Sequence, residues 1–253
     1  MTTPLLSMEG VSKAYSADAQ ILRDVSFRQG ANEFLAIVGP SGCGKTTMLR
    51  CISALMAPDS GVVFHEGQTF DDPPPWLSIV FQDYNRSLFP WLSVRRNVAL
   101  ALRDVGKGER DERVNEALEA VKLGHAADLY PWQLSGGMQQ RCALARSIVS
   151  APRLLLLDEP FASVDAQTRI DLQDLVMDIC ERMSLSALLV THDIDEAVFM
   201  ADKVVVLSTR PASVVEEIAI DLPRPRDQLT TKETPEFLHL RHKVYTLVRQ
   251  QAQ

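Results

Sequence analysis

The sequence lacks the features that mark a membrane-spanning, disulfide-linked or nucleic-acid-binding chain. Its longest apolar runs, among them residues 154–157 and 204–207, hold four or five residues, whereas a helix needs about 20 to cross a bilayer. It has 4 cysteines in 253 residues and no CxxC spacing, so we expect small buried thiols and neither a disulfide framework nor a metal site. With 26 basic against 33 acidic residues, the net charge of -7 disfavours a nucleic-acid partner.

Other absences narrow the class further. The first ten residues hold no basic stretch followed by an apolar core, so we expect no signal peptide and a cytoplasmic chain. No internal repeat or low-complexity tract is visible. The 46% apolar and 23% charged residues are typical of a globular protein with a sizeable core, which excludes a mainly disordered chain.

Short apolar runs alternate with helical stripes through much of the chain. The run Phe34–Val38 is followed by a glycine-rich segment and then by apolar residues at helical spacing. Later runs lie at 154–157, 188–190 and 204–207, and similar stripes separate them. This alternation predicts an α/β fold with a mainly parallel sheet, built from right-handed βαβ units.

Two regions depart from this alternation. Residues 5–27 hold short alternating segments that suit antiparallel strands, and residues 83–149 have a mostly helical pattern. We therefore predict a single domain over 1–253. Its parts are a core from 1–82 and 150–221 that includes the N-terminal antiparallel β subdomain, an inserted helical subdomain over 83–149, and a tail over 222–253 with a short helix.

The glycine-rich segment fits the phosphate-loop pattern G-x-x-x-x-G-K-[ST] and lies between a predicted strand and a predicted helix. Glycines let successive backbone N–H groups face the phosphates, and the helix N-terminus adds its positive end. Lys45 would reach the outer phosphates, and Thr46 would offer its hydroxyl to Mg²⁺. The predicted nucleotide-binding residues of this segment are Gly39, Pro40, Ser41, Gly42, Cys43, Gly44, Lys45, Thr46 and Thr47.

Two adjacent acids follow the apolar run at 154–157. Because ligands of α/β folds sit at the carboxyl edge of the sheet, Asp158 is predicted to hold Mg²⁺. Glu159 is predicted to orient and deprotonate the attacking water. Adjacent acids after a strand are, taken alone, more often a helix cap, but the phosphate loop in the same chain favours the catalytic interpretation.

The segment Leu134-Ser135-Gly136-Gly137-Met138-Gln139-Gln140-Arg141 opens a helix, and alone it indicates an N-cap. Together with the phosphate loop and the paired acids, it resembles the signature of the ATP-binding-cassette ATPases, and the resemblance covers nearly the whole chain. It implies a P-loop NTPase core, ATP and Mg²⁺ as cofactors, and ATP hydrolysis. It also implies a head-to-tail homodimer in which the signature residues contact the ATP of the other copy; these are Ser135, Gly136, Gly137 and Gln139.

The same resemblance implies roles for four further residues. Gln82 resembles the glutamine that touches Mg²⁺ or the water, and His192 resembles the switch histidine that hydrogen-bonds the γ-phosphate. Asp165 resembles the aspartate that links the two sites of the dimer, and Tyr15 resembles the aromatic residue that stacks on adenine. The metal-contacting residues implied in this way are Thr46, Gln82 and Asp158.

Some segments resemble one subgroup of this family. Phe81-Gln82-Asp83, Leu88-Phe89-Pro90-Trp91 and the tail segment Leu222-Pro-Arg-Pro-Arg226 are similar to the ATPases of nitrate, sulfonate and taurine importers. This implies a subunit on the inner face of the cell membrane that powers uptake of a small solute through a separate permease, supplied by a solute-binding protein. If segment 88–91 is exposed, it could bind the permease. The alternative is that Phe89 and Trp91 are buried in the helical part.

Two other functions stay open from the sequence. A soluble ATP-switched clamp that is not attached to a transporter uses the same motifs, although such relatives usually carry paired cassettes, long inserts or basic faces that this sequence lacks. The ATPase of an exporter or a lipoprotein-release system is disfavoured only by the resemblance of the 88–91 segment and the tail. Copurification with a permease would favour the importer over the clamp.

Overall fold

The computed structural model describes residues 3–16, 19–83, 87–102 and 105–251. The chain forms two compact units: unit 1 comprises Met1–Pro74 and Ser186–Gln253, and unit 2 comprises Pro75–Leu185. Positions 84–86 and 103–104 of the predicted helical part, and both ends of the predicted domain, lie outside the described residues. The division into core, helical part and tail stays a prediction.

The strands are short and alternate with helices along the chain. In chain order they are β1 Leu6–Ala14, β2 Gln20–Gln29, β3 Phe34–Val38, β4 Ser60–His65, β5 Gln68–Thr69, β6 Leu77–Val80, β7 Leu154–Asp158, β8 Ser186–Val190, β9 Lys203–Leu207 and β10 Val214–Ala219. The α-helices are α1 Lys45–Ile52, α2 Val94–Ala99, α3 Lys107–Ala120, α4 Gly136–Ile148, α5 Ala166–Arg182, α6 Ile194–Met200 and α7 Pro235–Gln251. Short 3₁₀ turns lie at Gly124–Ala126, Pro131–Gln133 and Thr231–Glu233.

Unit 1 contains an antiparallel sheet and a mainly parallel one. The antiparallel sheet has the order β2-β1-β4-β5, and its strands bury alternate residues such as Val25 and Phe27. In the second sheet β3 pairs in parallel with β8 on one side and β9 on the other, and β10 adds an antiparallel edge. Residues of β3 and β8 are buried throughout, which explains why the sequence shows unbroken apolar runs there. The predicted α/β class with an N-terminal antiparallel part is confirmed.

Unit 2 combines two parallel strands with a group of helices. β6 pairs with β7, and α2 and α3 pack against α4. Helix α3 lies in the region that the sequence predicts to be helical. Its apolar face is buried, with Val114, Ala117 and Leu118 between 1% and 6% exposed. No helix in the described ranges of the chain is long and apolar enough to cross a bilayer.

The predicted C-terminal helix is present as α7. Phe237 and Val244 are its buried residues, and they place it against α6 and β9 of unit 1. The four cysteines are all buried, as the sequence predicts.

Candidate functional site: a phosphate loop and a signature helix

The phosphate loop lies in unit 1, between the carboxyl end of β3 and the start of α1. Lys45, the first residue of α1, is 6% exposed. Its Nζ donates hydrogen bonds to the backbone oxygens of Gly39 and Pro40 at 2.9 and 3.1 Å. Thr46 follows it at the surface. The loop therefore holds a cationic group at the N-terminus of a helix, an arrangement that favours a bound anion.

Gly44 shows why this loop needs glycine. Its φ is +121°, and a Cβ at this position would lie 2.6 Å from Cγ2 of Ile21 on β2. A side chain would therefore be strained by the backbone and would collide with a buried residue. Glycine lets the chain turn directly into α1, whose first N–H groups have no partner within the helix and can face an anion.

Cys43 contributes its backbone to the loop, because its side chain points inward. The residue is 1% exposed. Burial raises the pKa of its thiol, against the opposing charge of Lys45. The thiol is therefore neutral at physiological pH, and no thiolate is available for chemistry at the loop.

Tyr15 lies beside the loop. Its ring is 56% exposed, and its hydroxyl forms a 3.1 Å hydrogen bond with Oγ1 of Thr47. Asp59 fixes the preceding residues, since its carboxylate accepts from Nζ of Lys13 at 2.6 Å and from the backbone N–H of Ala14 at 2.7 Å. An exposed aromatic face at the edge of a phosphate loop fits the predicted stacking on a nucleotide base.

His192 lies at the same sheet edge as the phosphate loop. The parallel strands β3 and β8 pair Ile37 with Val190, so the loop after β3 and the turn after β8 leave the sheet side by side. The turn is fixed internally: Oγ1 of the buried Thr191 donates to Oε2 of Glu196 at 2.7 Å. His192 itself is exposed. Unit 1 thus holds Tyr15 beside the loop, and it holds the loop and the turn of His192 at one sheet edge.

Unit 2 holds the two acids and Gln82 at a similar edge. Its parallel strands β6 and β7 pair Val80 with Leu157, so Gln82 and Glu159 both lie two residues beyond paired positions. Nε2 of Gln82 is 3.5 Å from Oε2 of Glu159, at the outer limit of a hydrogen bond. Asp158, the last residue of β7, is 5% exposed.

Glu159 has an unusual backbone conformation. Its φ is +45°, in the left-handed region that costs a residue with a Cβ about 1–2 kcal/mol. The turn that follows holds this conformation through the N–H of Ala162, which donates to the Glu159 carbonyl at 3.2 Å. Strained residues often lie at functional sites. Other non-glycine residues of this chain, such as Glu66 and Lys122, also have a positive φ, so the conformation supports a catalytic role for Glu159 only together with its position after β7. The sequence carries no signal for this strain, because glutamate is not a left-handed residue by preference.

The signature residues form the start of α4. Ser135 is its N-cap, and its side chain accepts from the N–H of Met138 at 3.3 Å. Gly136 is exposed, so the first turn of the helix is open to an anion. Gln139 turns back instead: its Nε2 donates to the carbonyls of Pro131 and Leu134 at 2.9 and 3.3 Å. Its side chain supports the turn before the signature.

Asp165 and the signature share one neighbour that the sequence did not single out. Asp165 is the N-cap of α5, and its carboxylate accepts from Oγ1 of Thr168 at 2.6 Å and from the Thr168 N–H at 3.0 Å. These two bonds lower the pKa of the Asp165 carboxyl. A Cβ on Gly137 would lie 2.5 Å from Cγ2 of the same threonine. Thr168 therefore links the signature glycine to Asp165.

Aromatic side chains of unit 2 reach the solvent. Phe89 and Trp91 are 39% and 69% exposed, which supports the exposed interpretation of the 88–91 segment, and their rings meet edge to face at 5.3 Å. The buried side chain of Asn97 bonds to Phe89, Leu92 and Ser93, so this aromatic pair stands on an ordered turn.

A second aromatic pair was not expected from the sequence. The rings of Tyr130 and Trp132 are stacked at 6.2 Å, and the two residues are 39% and 72% exposed. The signal that could have found them is the occurrence of two aromatic residues just before the signature.

A βαβ fold with a glycine loop between a buried strand and a helix, and an acidic pair after another buried strand, defines a phosphate-loop nucleotide-binding protein. The family described as "ABC transporter" matches residues 22–162, more than half of the chain. The chain belongs to this family.

Two relatives and one solved structure agree with this assignment. "Bicarbonate transport ATP-binding protein CmpC" of Synechococcus elongatus is 47% identical over 233 residues, which cover 90% of this chain and 34% of that protein. The chain thus spans about a third of the length of that relative. "Nitrate transport protein NasD" of Klebsiella oxytoca is 40% identical over 250 residues, 95% of each chain. The dimeric post-hydrolysis structure of the ATP-binding cassette MJ0796 with ADP and Pi is 30% identical, with a TM-score of 0.73 over 85% of this chain and 98% of that one.

Proposed function

We propose that this chain binds and hydrolyses ATP as the energy-supplying subunit of an importer for a small anion. The observation that carries the ATPase proposal is the phosphate loop itself, with the Lys45 ammonium held at the start of α1 by two backbone carbonyls. In this proposal Tyr15 stacks on the adenine, the loop residues 39–47 bind the phosphates, and the Lys45 ammonium moves from those carbonyls to the outer phosphates.

We assign Mg²⁺ to three oxygen donors, one in the first turn of α1 and two at or just beyond the ends of β7 and β6. Thr46 carries a hydroxyl, Asp158 a carboxylate and Gln82 an amide oxygen, and Mg²⁺ prefers oxygen ligands of this kind. The low exposure of Asp158 fits a metal ligand, since a buried carboxylate needs a cation or several hydrogen bonds to offset its desolvation. When bound, the ion neutralises charge on the transferred phosphoryl group.

The remaining residues act on the water and on the γ-phosphate. Glu159 accepts the proton of the attacking water through its carboxylate, and its left-handed backbone sets the direction of that group. Gln82, within reach of the Glu159 carboxylate, positions the water. His192 donates a hydrogen bond to the γ-phosphate oxygen on which charge develops.

The signature serves a second copy of the chain. In this proposal Ser135, Gly136 and Gly137 present the N-terminus of α4 to the ATP of the partner, and Asp165 links the two sites. An exposed helix N-terminus has little to do in a monomer but is a ready anion contact in a head-to-tail dimer. The dimeric state of the MJ0796 cassette supports this part of the proposal.

The solute is a small anion carried through a separate permease. The names of CmpC and NasD, bicarbonate and nitrate transport proteins, support an oxyanion, and sulfonates and taurine carry a comparable anionic group. The exposed aromatic residues of unit 2 are the side chains expected to anchor the permease, because aromatic anchors dominate protein interfaces. In this proposal a solute-binding protein supplies the permease from the other side of the membrane.

The test is uptake in vesicles that contain the chain with its permease, with the solute-binding protein added outside. Labelled bicarbonate, nitrate and taurine are supplied outside with ATP inside, and phosphate release is measured in parallel. We expect one anion to accumulate and to stimulate phosphate release. ATP hydrolysis without copurifying permease or accumulated anion would instead support the soluble clamp.

A further inference from the structure

The C-terminal part of unit 1 contacts both ends of α6, the helix that follows His192. α6 spans Ile194–Met200, so it begins two residues after the histidine. The segment at residues 222–226 contacts its carboxyl end, where Arg226 bonds to two carbonyls and Arg224 donates to the Met200 carbonyl at 3.2 Å. Both arginines lie near the Asp202 carboxylate. At the amino end, Arg241 of α7 reaches Asp195.

Arg226 bonds to the carboxyl end of α6. Its Nη1 donates to the carbonyl oxygens of Phe199 and Ala201 at 2.9 and 2.7 Å. Its Nη2 reaches the carbonyls of Ile220 and Leu222 at 3.4 and 3.3 Å. One guanidinium group therefore joins the end of the helix to the chain that enters the tail.

The burial of this arginine is unusual for a charged side chain. Its side chain is 1% exposed, although burying a charge costs several kcal/mol unless hydrogen bonds offset it. The carbonyls at a helix end lack partners within the helix and carry the negative end of its dipole, so a cation there is favourable. Burial, together with the neighbouring Arg224, lowers the pKa of Arg226 to about 10. The group is still charged at neutral pH.

Further contacts hold the same helix from the tail side. The ring of Phe199, fully buried, lies 4.6 Å beneath Nζ of Lys232. At the amino end, Nη1 of Arg241 on α7 is 3.7 Å from Oδ1 of Asp195. Both partners of this pair are about half exposed, so it contributes less than the buried Arg226 contacts.

The turn between β8 and α6 transmits these contacts to His192. The buried bond between Thr191 and Glu196 ties the residue before the histidine to the first turn of α6. Asp193 caps the helix by accepting from the N–H of Glu196 at 3.2 Å. A shift of α6 would therefore move both neighbours of His192, because each of them is bonded to the helix.

We propose that Arg226 is a positioning residue for His192: it fixes the carboxyl end of α6, Arg241 supports the amino end, and the tail thereby sets the place of the histidine at the phosphate-loop edge. The inference rests on the proposed role of His192 in ATP hydrolysis. It gives the tail a function within the ATPase site itself.

The test compares Arg226→Met and Arg226→Lys with wild type in three measurements: kcat and KM for ATP, hydrogen exchange by mass spectrometry, and Tm. We expect Arg226→Met to lower kcat roughly tenfold or more, because small displacements of a catalytic group have effects of this size, with KM for ATP within about twofold. Arg226→Lys keeps the charge but not the fork of donors, so its kcat should fall in between. Arg241→Ala should have the smallest effect.

Hydrogen exchange gives a readout that does not depend on the ATPase. Peptides covering residues 191–200 should exchange faster in the Arg226 variants, whereas peptides covering 39–47 should not change. Val25→Ala, a fully buried site in β2, is the control that lowers Tm without touching α6 and should keep wild-type kcat. If Arg226→Met does not fold, Arg226→Lys carries the comparison.

Three results would overturn the inference. The first is a wild-type kcat in the Arg226 variants, and the second is unchanged hydrogen exchange over residues 191–200. The third is a fall in kcat that Val25→Ala reproduces when its Tm is equal to that of the Arg226 variant. A wild-type protein without ATPase activity would contradict the proposed function instead. Exchange over 191–200 would then still report whether Arg226 fixes the turn.

Discussion

The two units differ in what they place at the surface. Among the described residues, the exposed aromatic side chains of unit 1 are Tyr15 and Tyr245, and those of unit 2 are Phe81, Phe89, Trp91, Tyr130 and Trp132. Each unit holds a helix N-terminus that suits an anion, at Lys45 in unit 1 and at Gly136 in unit 2. Unit 1 adds the buried ammonium group of Lys45, whereas unit 2 adds an acidic pair and most of the exposed rings. In the proposed function both units therefore contact phosphates, and the rings that bind a protein surface lie mainly in unit 2.

The largest effect on ATP turnover is expected from a change at Glu159 of unit 2. Glu159→Gln removes the proton acceptor but keeps the shape of the side chain, so we expect turnover to fall by about 10²–10⁴ while ATP affinity is retained. Steady-state phosphate release and ATP binding by fluorescence check the two halves of this expectation. Glu112→Gln, an exposed change on α3, is the matched control. Normal phosphate release by Glu159→Gln would remove Glu159 from the role of base.

Lys45 tests the other unit. Lys45→Ala removes an ammonium group from the phosphates, and hydrogen bonds to charged groups contribute about 1.5–3 kcal/mol each. Because this ammonium group is expected to donate to two phosphate oxygens, its removal should lower ATP affinity by roughly two orders of magnitude or more. Calorimetric titration measures this, with the exposed Lys107→Ala as the control. An unchanged affinity would contradict the assignment of the loop.

Trp91 tests whether the exposed rings of unit 2 bind the permease. Trp91→Ala should weaken association with the permease roughly 30-fold, since an aromatic anchor contributes about 2 kcal/mol, while ATP affinity of the separate chain stays at the wild-type value. Co-sedimentation with permease vesicles measures the association. Leu229→Ala changes a 73% exposed residue of unit 1 and should leave association intact. If both variants lost association with the permease equally, the exposed rings of unit 2 would have no special role in permease binding.

The smallest effect is expected from the thiols. Burial raises the pKa of Cys51 to about 11 and that of Cys142 to about 12, so both are neutral in the folded chain at pH 8. The folded pKa of each of these thiols lies above the unfolded value of 9.0. Their contribution to the free energy of unfolding is therefore fully present below pH 9.0, and it is lost as the pH rises through the folded pKa. At pH 8 a colorimetric thiol reagent should react slowly with the native protein. In urea the same reagent should react quickly with all 4 cysteines. Rapid labelling of native protein would show that these sites open.

Much of the fold follows from the sequence because it rests on local patterns. A buried parallel strand requires an unbroken apolar run, and β3, β7, β8 and β9 coincide with such runs. Helix α3 lies in the region whose pattern is mostly helical, and α7 lies in the tail where a short helix is predicted. Strands β4 and β10 lie at positions with mixed exposure, so their patterns are too weak to detect.

The motifs of the candidate site are visible in the sequence, but their supporting contacts are not. A glycine pattern identifies the loop since the backbone conformation at Gly44 restricts the residue type. The strain at Glu159 and the packing of Thr168 against Gly137 depend on the turn after β7 and on the approach of two helices. In the sequence Arg226 cannot be distinguished from an exposed arginine. Its burial depends on carbonyls that folding brings to it from residues 199–222.

In the proposed function ATP joins two copies of this chain, and each signature helix completes the site of the other. Light scattering coupled to gel filtration, applied to Glu159→Gln with ATP and Mg²⁺, measures this association. We expect twice the monomer mass of 28.1 kDa with ATP and the monomer mass with ADP, and Ser135→Arg in the same background should stay monomeric. If the protein binds ATP yet keeps the mass of one chain at every concentration, also beside its permease, ATP does not join two copies.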